Sequence, residues 1–224
     1  MDVAARFAEV IFGAPLTIEA SQAYFREVKT RAQDKFGRNP DHLKVMPGLS
    51  IYVAPTESEA EEKFAHQNSL MHPVVAREIL STVLGNVDLT PYDFDGPLPD
   101  NLPMSNGSQS TFKYVTDLAK NDHLTMRQIA QVVAGARAKM VVKGTPKQVA
   151  DHMEHWLIDE AADGFNIMPP YLPGSLNDFV ELVIPELQRR GLFRTEYTGR
   201  TLRDNLGLPR PPSRYATRAN EAAE

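Results

Sequence analysis

The stretch from Gly144 to Phe193 constrains the fold most, because it encodes two helices with a short apolar run between them. The first helix has a clear start signal: Thr145 is a suitable N-cap, Pro146 fits the first helical position and Gln148 completes a capping box. One face of this helix is apolar at helical spacing and consists of Val149, Met153, Trp156, Leu157 and Ala161. Such a face has to pack against a sheet, so the stretch predicts an α/β protein.

A buried parallel strand is expected directly after this helix. Ala162-Asp163-Gly164 ends the helix, and the apolar run from Phe165 to Met168 is closed by Pro169-Pro170. Short apolar runs of this kind are typical of parallel strands that are covered on both faces. Ligands of α/β proteins bind beyond the carboxyl ends of such strands, so we expect functional residues near Pro169-Pro170.

Several short motifs occur in order along this part of the chain. They are Gly144-Thr145-Pro146, Ala162-Asp163-Gly164-Phe165-Asn166, Pro169-Pro170 and the segment from Phe179 through Pro185 to Phe193. This set resembles the C-terminal signature of the luciferase-like, flavin-dependent monooxygenases, in the branch of nitrilotriacetate, dibenzothiophene-sulfone and long-chain alkane monooxygenases. Members of that family are (β/α)8 barrels about twice as long as this chain. The resemblance therefore implies the C-terminal half of a TIM barrel.

Length and composition limit the class of protein further. The 224 residues fall short of the roughly 250 that a complete barrel needs. A net charge of −5 gives no reason to expect nucleic acid as a partner, and the absence of cysteine excludes disulfides, thiolate catalysis and cysteine metal sites. The sequence contains neither a long apolar run nor a signal-peptide pattern. We therefore expect a cytoplasmic protein with no membrane partner.

Two further buried strands are expected in the first quarter of the chain. Met1 to Phe7 is typical of a helix end, and the strand Ala8–Phe12 follows it. A helix capped by Thr17 separates this strand from a second one, Leu43–Val53, in which Pro47-Gly48 indicates a bulge or an irregular entry.

The resemblance implies that the flavin phosphate is bound upstream of Met1. In the family, the helix equivalent to Asp2–Phe7 is preceded by a strand and a Ser/Gly-rich loop whose backbone amides hold the phosphate. Free N–H groups and the helix dipole both favour an anion at such a helix start. We therefore expect no cofactor-binding residue within this chain.

The alternation of strands and helices breaks between residues 66 and 140. The segment Gly85–Ser110 is rich in proline, glycine, asparagine and aspartate, which predicts an irregular excursion, and Asp122–Val133 returns to helix with Thr125 as its cap. Long loops are often lids, and the resemblance implies an insertion that covers the flavin face of the barrel. Residues 1–193 are thus predicted to form a partial barrel domain, with 66–140 as an insertion or lid segment.

Residues 194–224 form a basic C-terminal tail. Eight arginines lie between positions 189 and 218 against two acidic residues, and Pro209–Ser213 predicts an extended or disordered chain. A nucleic-acid or anionic-surface role is one interpretation of this charge. The resemblance, which covers Gly199–Arg203, favours a tail that wraps its own barrel or a neighbouring subunit.

His72 is the candidate catalytic residue. Oxygen chemistry at a flavin needs a neutral donor or a proton relay near the ring, and histidine can supply either. His72 lies within the apolar segment Leu70–Val74 and, by the resemblance, near the position of an active-site histidine in relatives. A packed structural histidine is the alternative.

No metal site is expected. His152 and His155 stand three residues apart on a predicted helix, a spacing that can bind metal, but no third ligand is evident and a solvated helix flank is preferred. His42 and His66 are expected at the surface, and His123 in a helix cap. Four acidic residues lie at one predicted helix start, where they complement the dipole: Glu57, Glu59, Glu61 and Glu62.

The resemblance implies a two-component monooxygenase. Reduced FMN would come from a separate flavin reductase, and the enzyme, a homo-oligomer, would use O2 to oxygenate a small organic substrate. A truncated, non-catalytic remnant that acts only as an assembly or interaction module is the alternative. A deazaflavin-dependent relative is less favoured, because Pro169-Pro170 and Pro185–Phe193 match the FMN branch better.

Three recognisable strands cannot close a barrel that needs about eight. Both edges of the predicted sheet would stay open, and we expect apolar side chains meant for the barrel interior to be partly exposed. These side chains are Phe12, Ile51, Val53 and Phe165. The chain is therefore expected to self-associate unless a partner supplies the missing strands.

Overall fold

The computed structural model describes residues 1–15, 17–103, 109–121, 123–135 and 140–211. They form an α/β fold with a small parallel sheet, as the sequence predicts. The strands are β1 (Val10–Gly13), β2 (Lys44–Val53), β3 (Met140–Gly144) and β4 (Asn166–Ile167). The helices are α1 (Asp2–Phe7), α2 (Ile18–Phe36), α3 (Glu57–Ser69), α4 (Pro73–Val83), α5 (Gln109–Asn121), α6 (Met126–Gly135), α7 (Pro146–Ile158), α8 (Gly174–Asp178), α9 (Ile184–Arg189) and α10 (Leu202–Asn205). A 3₁₀ turn spans Pro40–His42, and a π-helical turn spans Phe179–Val183.

Every other described strand pairs with β2. β1 pairs in parallel with its first half and β3 with its second half, while β4 pairs in parallel with Gly48 and Leu49. Leu49 is paired with both Met140 and Ile167, so β3 and β4 lie on opposite edges of β2 at that point. The irregularity expected at Pro47-Gly48 is a change of partner strand within one continuous strand of 10 residues. Pro47 has no N–H to donate, and the pairing with β1 ends there.

β1 is more exposed than predicted. The sequence predicts a strand over Ala8–Phe12 buried on both faces, but Val10 is 41% exposed and Phe12 is 58% exposed. Val10 and Phe12 lie on one face of β1, and among the described residues β1 also pairs with β2 alone, so its second edge has no strand partner. β1 therefore has the apolar sequence of a buried parallel strand but exposes one apolar face and one edge.

β4 is shorter and less buried than the predicted strand Phe165–Met168. Only Asn166 and Ile167 are paired, and both are half-buried. Beside β4 lies an apolar groove of about 430 Å³, lined in part by Met46, Leu157 and Phe165. Leu157, predicted on the buried face of α7, is 41% exposed at this groove. The groove follows the edge of β4 that has no strand partner among the described residues.

The main core lies between the second half of β2, α7, the π-helical turn and α9. Alternate residues of β2 enter it, and Trp156 and Val183 cover them from the helical side. Ile51 is 2% exposed and Val53 1% exposed, so the expectation that these two would be partly exposed is wrong. α7, which precedes β4, and the π-helical turn and α9, which follow it, cover them.

The motifs of residues 144–193 hold this core in place. The predicted capping box is confirmed: the backbone N–H of Thr145 donates to Oε1 of Gln148 at 2.9 Å, and the N–H of Gln148 donates to Oγ1 of Thr145 at 3.4 Å. Arg190, with its side chain 11% exposed, joins α7 to α9 through ion pairs to Asp151, Glu154 and Glu186 at 2.6–2.7 Å. Hydrogen bonds from Arg189 and Arg190 lower the pKa of Glu186 to about 2.

Residues 71–133 build a second hydrophobic core. Leu80 of α4, Val115 of α5 and Ile129 of α6 lie fully buried in it. Thr125 caps α6 as predicted, since its Oγ1 accepts from the N–H of Gln128 at 3.3 Å. Described residues 85–103 contain neither helix nor strand, in line with the predicted excursion, whereas 104–108 and Asp122 lie outside the described residues. The segment therefore packs around its own core rather than as a bare loop.

The described part of the tail packs on the body of the protein. The guanidinium of Arg203 donates to both carboxylate oxygens of Glu9, just before β1, which lowers the pKa of Glu9. Leu208 is 6% exposed. These contacts agree with a tail that wraps its own chain. Residues 212–224, including Pro212 and Ser213 of the predicted extended stretch, lie outside the described residues.

We expect the purified chain to self-associate through the uncovered apolar face at β1. Replacing Phe12 by lysine should shift the population towards monomer, because a charge on an exposed strand edge opposes edge-to-edge pairing. Leu202→Lys is the matched control, since Leu202 is 75% exposed and lies on α10 instead of β1. Light scattering measures the mass of each variant. A monodisperse 25.0 kDa wild-type monomer would contradict the expectation.

Candidate functional site

A cavity of about 570 Å³ lies where β2 and β4 end. Ser50, Met168, Pro169 and Pro170 line it from the strands, and Gln67, Asn68, Leu70 and Met71 line it from the junction of α3 and α4. Its volume is in the range of small-molecule sites, and the carboxyl ends of parallel strands are the usual ligand position in α/β folds. The structure thus places the predicted functional residues near Pro169-Pro170 at a cavity.

Local contacts bring the end of α3 to this cavity. The helix starts in a capping box, in which the N–H of Glu59 donates to Oγ1 of Thr56 at 3.3 Å and the N–H of Thr56 donates back to Glu59 at 3.1 Å. Nζ of Lys63, one turn later, donates to the carbonyl of Val53 at 3.1 Å and pairs with Asp178 at 2.6 Å. These bonds tie α3 to the carboxyl end of β2 and to α8.

The segment after β4 is fixed by a buried serine. Ser175, 4% exposed, accepts from the backbone N–H of Tyr171 at 3.2 Å and donates to the carbonyl of the same residue. A Cβ at Gly174 would lie 2.8 Å from the ring of Tyr171, so glycine is needed for this close approach. Gly48 likewise leaves room for the side chain of Met168, because a Cβ at position 48 would lie 2.9 Å from the sulfur of Met168.

The cavity is neutral. None of the described residues that line it carries a charge, and its polar groups belong to Ser50, Gln67, Asn68 and Tyr171. Oδ1 of Asn68 is buried without a hydrogen-bond partner among the described residues, and so is the hydroxyl of nearby Tyr52. An unmade hydrogen bond of this kind costs about 1–3 kcal/mol, which makes Asn68 of the lining a candidate for ligand contact, with Tyr52 behind it. No sequence pattern marks either residue.

His72 caps α4 and is exposed. Its Nδ1 accepts from the backbone N–H of Val74 at 3.3 Å, and it directly follows Met71 of the cavity lining. The apolar setting expected from the sequence is wrong, because Val74 and Val75 also point to solvent, at 63% and 52% exposure. An Nδ1 that accepts a hydrogen bond leaves the ring proton on Nε2, where it can be donated.

The sequence predicts that His152 lies on a solvated helix flank, but its Nε2 is shielded from solvent in the structure. Its Nε2 is buried with no hydrogen-bond partner among the described residues, and its ring lies 5.6 Å from that of Trp156. Burial lowers the pKa of His152, and nearby His155 lowers it further. The side chain of His155 is 61% exposed, as expected for a helix flank. The two rings are neighbours on the helix, as residues at i and i+3 are, but they differ in burial.

In the part of the chain that the structure describes, no group of three or more histidine, aspartate or glutamate side chains is placed to hold a metal ion. The side chain of Glu59 is used in the cap of α3, and Glu61 pairs with Lys143 at 2.6 Å. In the same described part, no helix combines the length and apolar character that crossing a bilayer requires.

Residues 1–162 match the family model described as luciferase-like monooxygenase. The chain belongs to this family. The match begins at Met1, includes every described helix and strand from α1 to α7, and ends at Ala162. The resemblance inferred from the motifs is thereby confirmed.

Three similar proteins define the branch of the family. Nitrilotriacetate monooxygenase component A of Aminobacter aminovorans is 52% identical over 96% of this chain and 47% of its own length. Dibenzothiophene-sulfone monooxygenase of Rhodococcus erythropolis is 35% identical over 93% of this chain and 46% of its own length. A riboflavin lyase, solved with a modified FMN and riboflavin, is 30% identical with a TM-score of 0.69 over 92% of this chain and 44% of its own. The chain thus spans about half the length of the curated relatives it matches.

We expect the free energy of unfolding to fall as the pH drops below about 6.5, the ordinary pKa of histidine. His152 has a lowered pKa in the folded state, so in this window the unfolded chain binds more protons and is favoured by acid. His152→Phe keeps a ring beside Trp156 but cannot titrate, and should lose part of this pH dependence. Urea unfolding at pH 7.5 and 5.5 measures this pH dependence of the free energy of unfolding.

The exposed His66 on α3 gives the control variant His66→Gln, which should keep the wild-type pH dependence. If His152→Phe and the wild type lose the same stability between the two pH values, then His152 is protonated as easily in the fold as in the unfolded chain.

Proposed function

We propose that this chain is the C-terminal half of a reduced-flavin-dependent monooxygenase, which oxygenates a small organic substrate with O2. The observation that carries the proposal is the neutral cavity at the carboxyl ends of β2 and β4, in a chain that belongs to the luciferase-like monooxygenase family. The N-terminal half would supply the missing strands of a TIM barrel. Reduced FMN would come from a separate flavin reductase, and the assembled protein would be a homo-oligomer.

The lining of the cavity fits the ring system of a flavin better than its phosphate. Met168, Pro169, Pro170 and Tyr171 offer apolar and aromatic surface, and the described lining carries no cation that could hold a phosphate. The phosphate would therefore bind to the half that precedes Met1. The solved riboflavin lyase with its modified FMN supports a flavin in relatives of this chain.

The bound flavin would supply the oxygen chemistry, and the residues of this chain would supply burial and a proton. The neutral lining would give the reacting atoms surroundings without a charged side chain from the described lining. His72 directly follows Met71 of the lining, and its Nδ1 accepts a hydrogen bond, which leaves the ring proton on Nε2. We assign to His72 the donation or relay of a proton between the cavity and solvent.

The alternative function is that of a non-catalytic remnant that serves only in assembly. The apolar strand edges of this chain are compatible with it as well. It predicts that the half-barrel docks to a partner without any flavin-dependent turnover. The open edge of β1 and the groove beside β4 fit both proposals. The cavity with its unpaired polar atoms favours the enzyme, because docking alone does not require it.

The chain alone should bind FMN only weakly. Phosphate contacts are strong, charge-assisted hydrogen bonds, and the described lining of the cavity has no group of this kind to offer. Fluorescence titration of FMN with the chain measures the affinity. The control is a fusion in which the N-terminal half of the Aminobacter nitrilotriacetate monooxygenase component A precedes Met1. Submicromolar binding by the chain alone would contradict the phosphate site upstream.

In the same fusion, His72→Ala should lower product formation per reduced FMN consumed by about 100-fold, the usual contribution of a positioned proton donor. Oxygen uptake and hydrogen peroxide release, measured with a flavin reductase, separate productive from wasteful turnover.

Because His72 also caps α4, a loss of activity could come from a weakened helix. His72→Asn keeps a strong N-cap side chain but removes the imidazole. Both variants should be equally impaired if the proton matters. Full activity in His72→Asn, together with an impaired His72→Ala, would show that the residue only caps the helix.

A further inference from the structure

Two buried polar groups beside the cavity lack hydrogen-bond partners among the described residues. They are the hydroxyl of Tyr52, a residue 1% exposed, and Oδ1 of Asn68. Folded proteins rarely leave such groups unpaired, and those that remain unpaired usually have a role in binding or catalysis. Both lie near the carboxyl end of β2, where the proposed function places the substrate.

Asn68 lines the cavity, and Tyr52 lies behind the lining, on the same face of β2 as the lining residue Ser50. The ring of Tyr52 packs edge-on against that of Phe64, with centroids 5.2 Å apart. Phe64 and Asn68 are four residues apart on α3 and therefore lie on one face of the helix. Asn68 lines the cavity together with Tyr171, and Tyr171 is near enough to Tyr52 to add to the rise that burial causes in its pKa.

The chemistry of these groups selects a class of ligand. A phenol donates one hydrogen bond, and a carboxamide accepts through its oxygen and donates through its nitrogen. The charged groups nearby, Lys63 and Asp178, are already paired with each other at 2.6 Å. A carboxylate bound between Tyr52 and Asn68 would be buried without a cation, which is costly, whereas an amide or a hydroxyl would satisfy both side chains.

We propose that Tyr52 and Asn68 form a polar subsite that binds a neutral amide or hydroxyl group of the substrate and disfavours a carboxylate. The inference rests on the proposed function, because it takes the cavity to be the substrate side of the site. It makes Tyr52 and Asn68 specificity-determining residues. The substrate would carry a neutral hydrogen-bonding group on the part that contacts this half of the barrel.

Equilibrium dialysis of the 224-residue chain against benzamide and benzoate at pH 7.5 tests the proposal, since the two probes have similar size and differ in charge. Benzamide should bind at least tenfold more tightly. Asn68→Leu and Tyr52→Phe should each weaken benzamide binding about fivefold, the usual effect of one lost hydrogen bond. Tyr197→Phe is the control, because it removes the hydroxyl of a tyrosine that is 73% exposed and lies in the tail.

Equal or tighter binding of benzoate would overturn the proposal, and so would unchanged benzamide binding in both variants or no saturable binding at all. Thermal unfolding adds a readout that needs no ligand. Tyr52→Phe removes a hydroxyl without a partner, so its Tm should equal or exceed that of the wild type. A Tm lowered by several degrees would show that the hydroxyl is bonded within the protein, and would also overturn the proposal.

These outcomes are separate from a failure of the proposed function. Flavin-independent selectivity for benzamide, combined with no turnover in the fused protein, would contradict the monooxygenase and leave the subsite in place. Turnover in the fused protein without benzamide selectivity would contradict the subsite alone.

Discussion

The pairing of β2 with three other strands is the constraint on which the rest of the structure depends. β1, β3 and β4 have no described strand partner apart from β2, so each is placed by its hydrogen bonds to that strand. One face of β2 carries the main core with α7 and α9, and the residues between, Ser50 and Tyr52, face the cavity and α3. The core and the candidate site are therefore two faces of one strand.

The same arrangement explains why the ends of the sheet differ from its centre. β2 has partners on both edges and is almost fully buried, whereas β1 and β4 each have one described partner and are partly exposed. Parallel strands are stable when both faces and both edges are covered. The fold is thus complete around β2 and incomplete at its margins, which fits a chain that spans about half the length of its relatives.

The sequence predicts the helix starts correctly, but it does not predict which strands and polar atoms are buried. The capping residues Thr17, Thr125 and Thr145 marked helix starts correctly, because capping is decided within a few residues. The burial of β1 and β4 was predicted wrongly, since burial depends on packing against other segments, and each of these strands has β2 as its one described strand partner. His152 and Tyr52 could not be placed from the sequence, because the burial of their polar atoms depends on packing between distant segments.

We propose that the open edges of β1 and β4 pair with strands of an N-terminal half-barrel. Amide hydrogen exchange in the chain alone and in the fusion with an N-terminal half tests it most directly. The account predicts that the amides of β1 and β4 gain strong protection in the fusion, while that of Ile51 in β2 is protected in both. Equal exchange of the β1 and β4 amides in the two proteins would contradict it.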